Sequence, residues 1–206
     1  MKQLGLRERQ KAGRRQRILE VAKTRFQADG YAFVTIEAIA NDADVSAVTV
    51  YNYYGSKAGL LLALVSESDQ LLIAQLEELI DSKPNDLIDT VARFGQTLRQ
   101  HAMSYLSKPT WREVLAASIQ EGSRKFGRTY VELDRVLIKL MQSLIDDFQN
   151  RKLIPLSVDA AALAECLFSL QNIRFFQFVA DDDISDNAID EKFRADLVAL
   201  SHVFGN

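Results

Sequence analysis

Between residues 46 and 57 the chain carries Ser46, Ala47, Val48, Thr49, Tyr51, Asn52, Tyr53 and Lys57, a run of small, hydroxyl-bearing and amide side chains closed by a cation. Side chains of these types do noncovalent chemistry on a polyanion. Hydroxyls and ammonium groups bind phosphate oxygens, and an amide such as that of Asn52 can donate and accept together at the edge of an adenine. Thr35 joins the set, because the amides at a helix N-terminus favour an anion and a capping hydroxyl stands beside them. Thr35, Ser46, Thr49, Tyr51, Tyr53 and Lys57 are therefore the candidate phosphate contacts, and Ala47, Val48 and Asn52 the candidate base-edge contacts. Capping alone is an equally good role for Thr35 and Ser46, and both roles can hold at once. The aromatic ring of Tyr54 is expected to pack beneath the motif.

Two short helices must position these groups. The first starts after the N-cap Thr35 and runs to about Asp42, with Ile36, Ile39 and Ala40 on one face. A three-residue turn follows, and Ser46 caps the second helix. Apolar residues are sparse there, so burial contributes little and the polar face is left for a partner. The major groove of DNA admits one helix and rewards short hydrogen-bonding side chains, which makes the pair read as a helix-turn-helix.

The N-terminal quarter resembles the TetR family of transcriptional regulators. The resemblance runs through Ile18, Leu19, Ala22 and Phe26 of a basic helix, then Gly30-Tyr31, then Thr35 to Ala40, then Val45-Ser46. It ends in Thr49-Val50-Tyr51-Asn52-Tyr53-Tyr54-Gly55-Ser56-Lys57. Two positions depart from the family pattern. Asp44 stands at the turn where glycine is usual, and aspartate tolerates the left-handed backbone better than most residues. Val48 stands where many members carry glycine, and either holds the backbone off the DNA or touches a thymine methyl, so sequence preference is not carried over. The position of Asn52 often touches phosphate in the family, which leaves its two roles open. The resemblance implies an all-α fold of about nine helices, with a three-helix DNA-binding domain in residues 1–56 and an effector-binding and dimerisation domain in residues 57–206. It further implies a homodimer on a palindromic double-stranded operator, and repression relieved by a small-molecule effector.

Charge is segregated along the chain. The net charge is −3, yet residues 1–57 hold ten Lys and Arg against six Asp and Glu, and the first 25 residues hold nine cations against only Glu8 and Glu20. Such a segment suits a phosphate-facing arm, although a solvated charged tail is the plainer reading of the run taken alone. With 48% hydrophobic residues, nine glycines and three prolines, the composition is that of a packed helical protein. Cys166 is the only cysteine, so no intrachain disulfide forms. No apolar run reaches the roughly 18 residues of a membrane span, and a soluble cytoplasmic protein with no membrane partner is expected.

Apolar spacings of three and four predict helices over 11–29, 35–53, 57–81, 86–106, a shorter one between Pro109 and Gly122, 125–150, from Ser157 or Asp159 to about 180, and from Ser185 to near Gly205. Phe94, Leu98, His101, Trp111, Phe126, Tyr130, Met141 and Arg174 are candidate effector contacts, each serving equally well as core or, for Arg174, as one half of an ion pair. The helix at 160–180 is apolar around most of its circumference, which implies burial on two sides. The resemblance assigns one side to a second copy of the chain, with Leu163, Leu167, Phe168, Phe175 and Phe178 as interface residues. An enzyme has little support: there are two histidines, no zinc spacing and no glycine-rich phosphate loop, and no metal or cofactor is expected. Asp181-Asp182-Asp183 with Asp186 lacks the glycine and closing glutamate of a calcium loop and reads as a solvated turn. The alternative to a regulator is a dimeric helical ligand-binding or interaction protein without DNA binding, which Asp44 and Val48 alone would favour.

Overall fold

A computed structural model describes residues 5–121 and 125–204, and every described element is a helix. In chain order they are α1 (Leu6–Asp29), α2 (Ile36–Asp42), α3 (Ala47–Tyr54), α4 (Lys57–Asp81), α5 (Leu87–Tyr105), α6 (Lys108–Glu121), α7 (Lys125–Asn150), α8 (Ala160–Ala180) and α9 (Asp186–Phe204). Gly122 and Gly205, expected at helix ends, lie outside the described residues.

Most boundaries are set by the capping groups visible in the sequence. Thr35 Oγ1 accepts from the Ala38 amide at 3.1 Å, Ser46 Oγ from Thr49 at 3.2 Å, Ser56 Oγ from Gly59 at 3.0 Å and Ser185 Oγ from Ala188 at 3.2 Å. At α8 the choice between Ser157 and Asp159 falls to Asp159, whose carboxylate accepts from Ala161 and Ala162. Helix α1 starts five residues earlier than its apolar spacing predicts. Glu8 folds back to accept from the Gly5 amide at 3.2 Å, fixing the helix start ahead of a stretch that has no apolar face to reveal it.

The chain forms two compact units, Met1–Glu67 with Tyr105–Tyr130, and Ser68–Ser104 with Val131–Asn206. The first takes in the start of α4 and all of α6 besides the three N-terminal helices. Its core holds Ile18, Ala22, Phe26, Ile39, Val50, Leu60, Leu61 and Leu64, none more than 1% exposed, together with Trp111 and Val114 of α6. In the second, Leu72, Leu76, Phe94, Met141, Leu144, Ile145, Phe148, Leu167, Phe168 and Phe193 build one apolar cluster. Ion pairs rim it: Arg99, 5% exposed on α5, meets Asp186 and Asp190 of α9, and Arg174 of α8 meets Asp196 of α9 at 2.5 and 2.6 Å. Arg151 at the end of α7 donates to the carbonyls of Lys83 and Pro84 and to Asn85, closing the α4–α5 loop onto α7.

By length and composition α4 is apolar enough to cross a membrane, although no unbroken apolar run marks it in the sequence. Leu60, Leu61, Leu64, Leu72, Leu76 and Ile80 are buried within the protein, so packing accounts for that apolarity.

Candidate nucleic-acid interface

The geometry of α3 follows from the turn before it. Asp44 has φ 52°, the left-handed conformation expected there, and the Val45 amide reaches back to the Ala40 carbonyl at 3.0 Å. Arg17 of α1 donates to the Asp44 carbonyl at 3.4 Å, so the turn is also held from outside. Arg25 of α1 joins Asp42 at 2.7 Å and Asp29 at 2.9 Å, and its guanidinium holds the Asp42 carboxyl below the usual range.

Helix α3 has one fixed face and one open face. Val50 and Tyr54 are buried against the first unit's core, and the Tyr54 hydroxyl donates to the Arg15 carbonyl at 3.0 Å, as expected of a ring lying beneath the motif. Burial pushes that phenol's pKa up. Tyr53 meets Tyr54 edge to face at 6.2 Å, and the Arg15 guanidinium lies about 6 Å from both rings. On the open face Val48 is 65% and Tyr51 46% exposed, and Asn52 is exposed beside them. Ala47, Thr49 and Tyr53 are half-buried along its margins. Thr35 and Ser46 are exposed caps, with the Thr49 hydroxyl 2.9 Å from Ser46 Oγ.

Lys57, expected as a phosphate contact, is engaged within its own unit. Its ammonium donates to the carbonyls of Tyr31 at 2.6 Å, Val34 at 2.9 Å and Ala32 at 3.3 Å, and sits 4.3 Å from the Tyr31 ring centroid. Three donors are thereby spent on the α1–α2 loop, and burial lowers the pKa of the group. That loop carries a residue the sequence reading passed over. Phe33 is 85% exposed, two residues before Thr35. An aromatic between Gly30 and a helix cap was its only signal.

The candidate effector contacts fall in both units. Phe94, Leu98 and Met141 are buried in the second unit's apolar cluster, and His101 is half-buried on α5 of the same unit. Arg174 pairs with Asp196 and lines a crevice with Gly95, Arg99, Gln171, Phe175, Ile189 and Phe193, in which the buried Gln171 Oε1 lacks a hydrogen-bond partner. Trp111 and Tyr130 belong to the first unit, and the side chain of Phe126 lies outside the described residues. A missed polar residue stands on α7. Asp134 is half-buried, takes a 3.5 Å hydrogen bond from Asn172 of α8, and has its carboxyl pushed up to about 6 by burial. Its place one turn before Leu137 and Ile138 on the inward stripe was the available sign.

On α8 the expected interface residues are buried to different degrees within the chain itself. Leu167, Phe168 and Phe178 are buried in their own subunit, and Leu163 and Phe175 are half-buried beside them. The outward stripe is Ala162, Cys166, Ser169, Ile173 and Phe176, with Ile173 48% and Phe176 47% exposed. A helix apolar all round gives no phase, so spacing alone could not choose between the two stripes.

Residues 18–64 match the profile of the bacterial regulatory proteins of the tetR family. No curated protein sequence matches the chain. Among solved structures, a TetR-family transcriptional regulator from Mesorhizobium loti is 21% identical, with 94% of this chain and 97% of that one covered at a TM-score of 0.71. One from Pectobacterium atrosepticum is 21% identical, covering 93% of each chain at 0.73. FadR of Thermus thermophilus, a TetR-family repressor solved with lauroyl-CoA, is 19% identical over 89% of this chain and 93% of that one at 0.71. At these identities the structural likeness speaks for the fold, and the match over residues 18–64 speaks for α1 to α3 and the start of α4.

Proposed function

Since the chain belongs to the TetR family of bacterial regulatory proteins and is a DNA-binding transcriptional regulator, we propose that it represses transcription from a palindromic operator and is released by a small-molecule effector. The observation that carries the DNA-reading part is the two-faced α3. Its inner side chains are anchored in the core while Val48, Tyr51 and Asn52 stand open. A rigid helix with a short, polar exposed face offers hydrogen bonds in fixed positions, which is what base-edge recognition requires. In this reading Tyr51, Tyr53 and Thr49 bind phosphate with the caps Thr35 and Ser46, Asn52 and Val48 meet bases, and Lys57 acts indirectly by holding the loop ahead of Thr35.

Two copies are needed to read a palindrome, with recognition helices about 34–36 Å apart. The outward stripe of α8, with Ile173 and Phe176, is the surface we assign to the second copy, in place of the inward Leu167, Phe168 and Phe178. An effector bound in the second unit would shift operator affinity only by its differential affinity for the two states. Helix α4 runs from the first unit into the second and is the covalent route for such a coupling. The regulator acts on DNA in the cytoplasm.

Selection of fragments from the source genome by the purified chain tests the reading, with Tyr51→Ala as the control. Enrichment of a short palindrome by the wild type, lost in Tyr51→Ala at unchanged melting temperature, is the expected result. A folded dimer that enriches no sequence, with and without added metabolite extract, would favour the ligand-binding protein without DNA binding.

A further inference from the structure

The stripe of α1 that is buried at Ile18, Ala22 and Phe26 continues toward the N-terminus as Arg14, Lys11 and Arg7, at spacings of four, three and four. All three are exposed, as is every residue from 7 to 17. The helix therefore leaves the core of its unit as an overhang. The side that packs on α2 becomes, in the overhang, a row of cations. Where the overhang begins, α1 is locked to the reading motif: Arg15 stands over Tyr53 and Tyr54, and Arg17 binds the carbonyl of Asp44 in the turn before α3. Glu8, the only acid between residues 5 and 19, is engaged with the Gly5 amide as a cap. Beside the row, Gln10, Gly13, Arg14 and Arg17 line a shallow open groove.

Within the fold Arg14 Nε reaches the Gln10 carbonyl one turn back, at 3.4 Å, and none of the three is in an ion pair among the described residues. Like charges three and four residues apart repel, and glycine at position 13 weakens a helix further. A polyanion relieves the repulsion. From Arg14 to Arg7 the helix extends about 10 Å, which equals the axial rise of about three phosphates of one DNA strand. We propose that Arg7, Lys11 and Arg14 form a second duplex contact, on phosphates outside the base pairs that α3 reads. The proposal rests on the DNA-binding role of α3 and adds a requirement of its own: affinity depends on flanking duplex, whatever its sequence.

The test compares the wild type with the triple variant R7Q/K11Q/R14Q of the full chain on two synthetic duplexes bearing the selected operator. One duplex is trimmed to the operator, and the other extends by several arbitrary base pairs at each end. The wild type is expected to bind the longer duplex more tightly, while the variant binds both alike and still prefers operator over scrambled sequence. Loss of three phosphate contacts lowers the salt slope by about 2.7, so the wild type's advantage on the longer duplex is about 40-fold larger at 50 mM than at 200 mM salt. Equal wild-type affinity for the two duplexes, or an unchanged slope in the variant, overturns the proposal and leaves the role of α3 standing. A wild type that enriches no sequence overturns both.

Discussion

The three hydrogen bonds of Lys57 hold Tyr31, Ala32 and Val34 in place immediately ahead of the cap Thr35. Replacing the ammonium by the methyl of Lys57→Met keeps the stem but leaves these carbonyls without their donor, at a cost of about 1–3 kcal/mol. Thermal melting is expected to show that loss, and Lys57→Arg is expected to recover little, because a planar fork does not serve three carbonyls converging on one nitrogen. Unchanged melting with a salt slope reduced by about 0.9 would return Lys57 to a phosphate. Nothing in the sequence announced this arrangement. The partners of Lys57 lie 23 to 26 residues away, Asp42 lies 17 from Arg25, and Asn172 lies 38 from Asp134. Spacing patterns report which face of a helix is buried and carry no information on which distant group a polar tip will reach. The capping by Thr35 and Ser46 and the exposure of Tyr51 and Asn52 were legible because they follow from position on a helix, which is local.

Between α3 and α4 the chain has only Gly55 and Ser56, and the first turn of α4 lies against the end of α3. A Cβ on Gly59 would stand 2.0 Å from the Tyr54 carbonyl oxygen, a backbone atom that cannot swing aside. Gly59→Ala should therefore push α4 off the end of α3 and lower stability by about 1–3 kcal/mol, read by chemical denaturation. Gly13→Ala provides the contrast. That position has no atom within 4 Å of a new Cβ, so alanine should leave stability unchanged or raise it by up to about 1 kcal/mol. If both substitutions behave alike, close approach is not what Gly59 serves. The helices themselves were legible from caps and apolar spacing, since Ser46, Ser56, Asp159 and Ser185 all cap as their types suggest. The start of α1 was not, because residues 7 to 17 are all exposed and so have no period. The phase of α8 was hidden for the opposite reason, an excess of apolar residues.

Across the whole molecule, acids shifted in opposite directions shape the response to pH. Asp134 titrates near 6 in the folded chain against 3.8 ordinarily, so the folded state keeps its proton longer than the unfolded one. Stability from this group is greatest below pH 4 and falls as pH rises to about 6, by up to about 3 kcal/mol. Asp147, drawn down by Lys83 and Arg151, has the opposite sign and loses its contribution as pH falls. Denaturation of the wild type and Asp134→Asn at pH 4 and pH 7 isolates the first effect. The wild type should lose stability relative to the variant between those values, and parallel profiles would refute the assignment. One further consequence concerns the order in which the chain is made. The first unit is interrupted: Met1–Glu67 is completed only by Tyr105–Tyr130, which includes Trp111 and Val114. At a ribosomal rate of about 5–20 residues per second, the first stretch of this unit waits about 3–13 s for the second to be made. A gene fragment ending at residue 67 would encode α1, α2 and α3, which pack on one another, without the Tyr105–Tyr130 stretch that completes their unit.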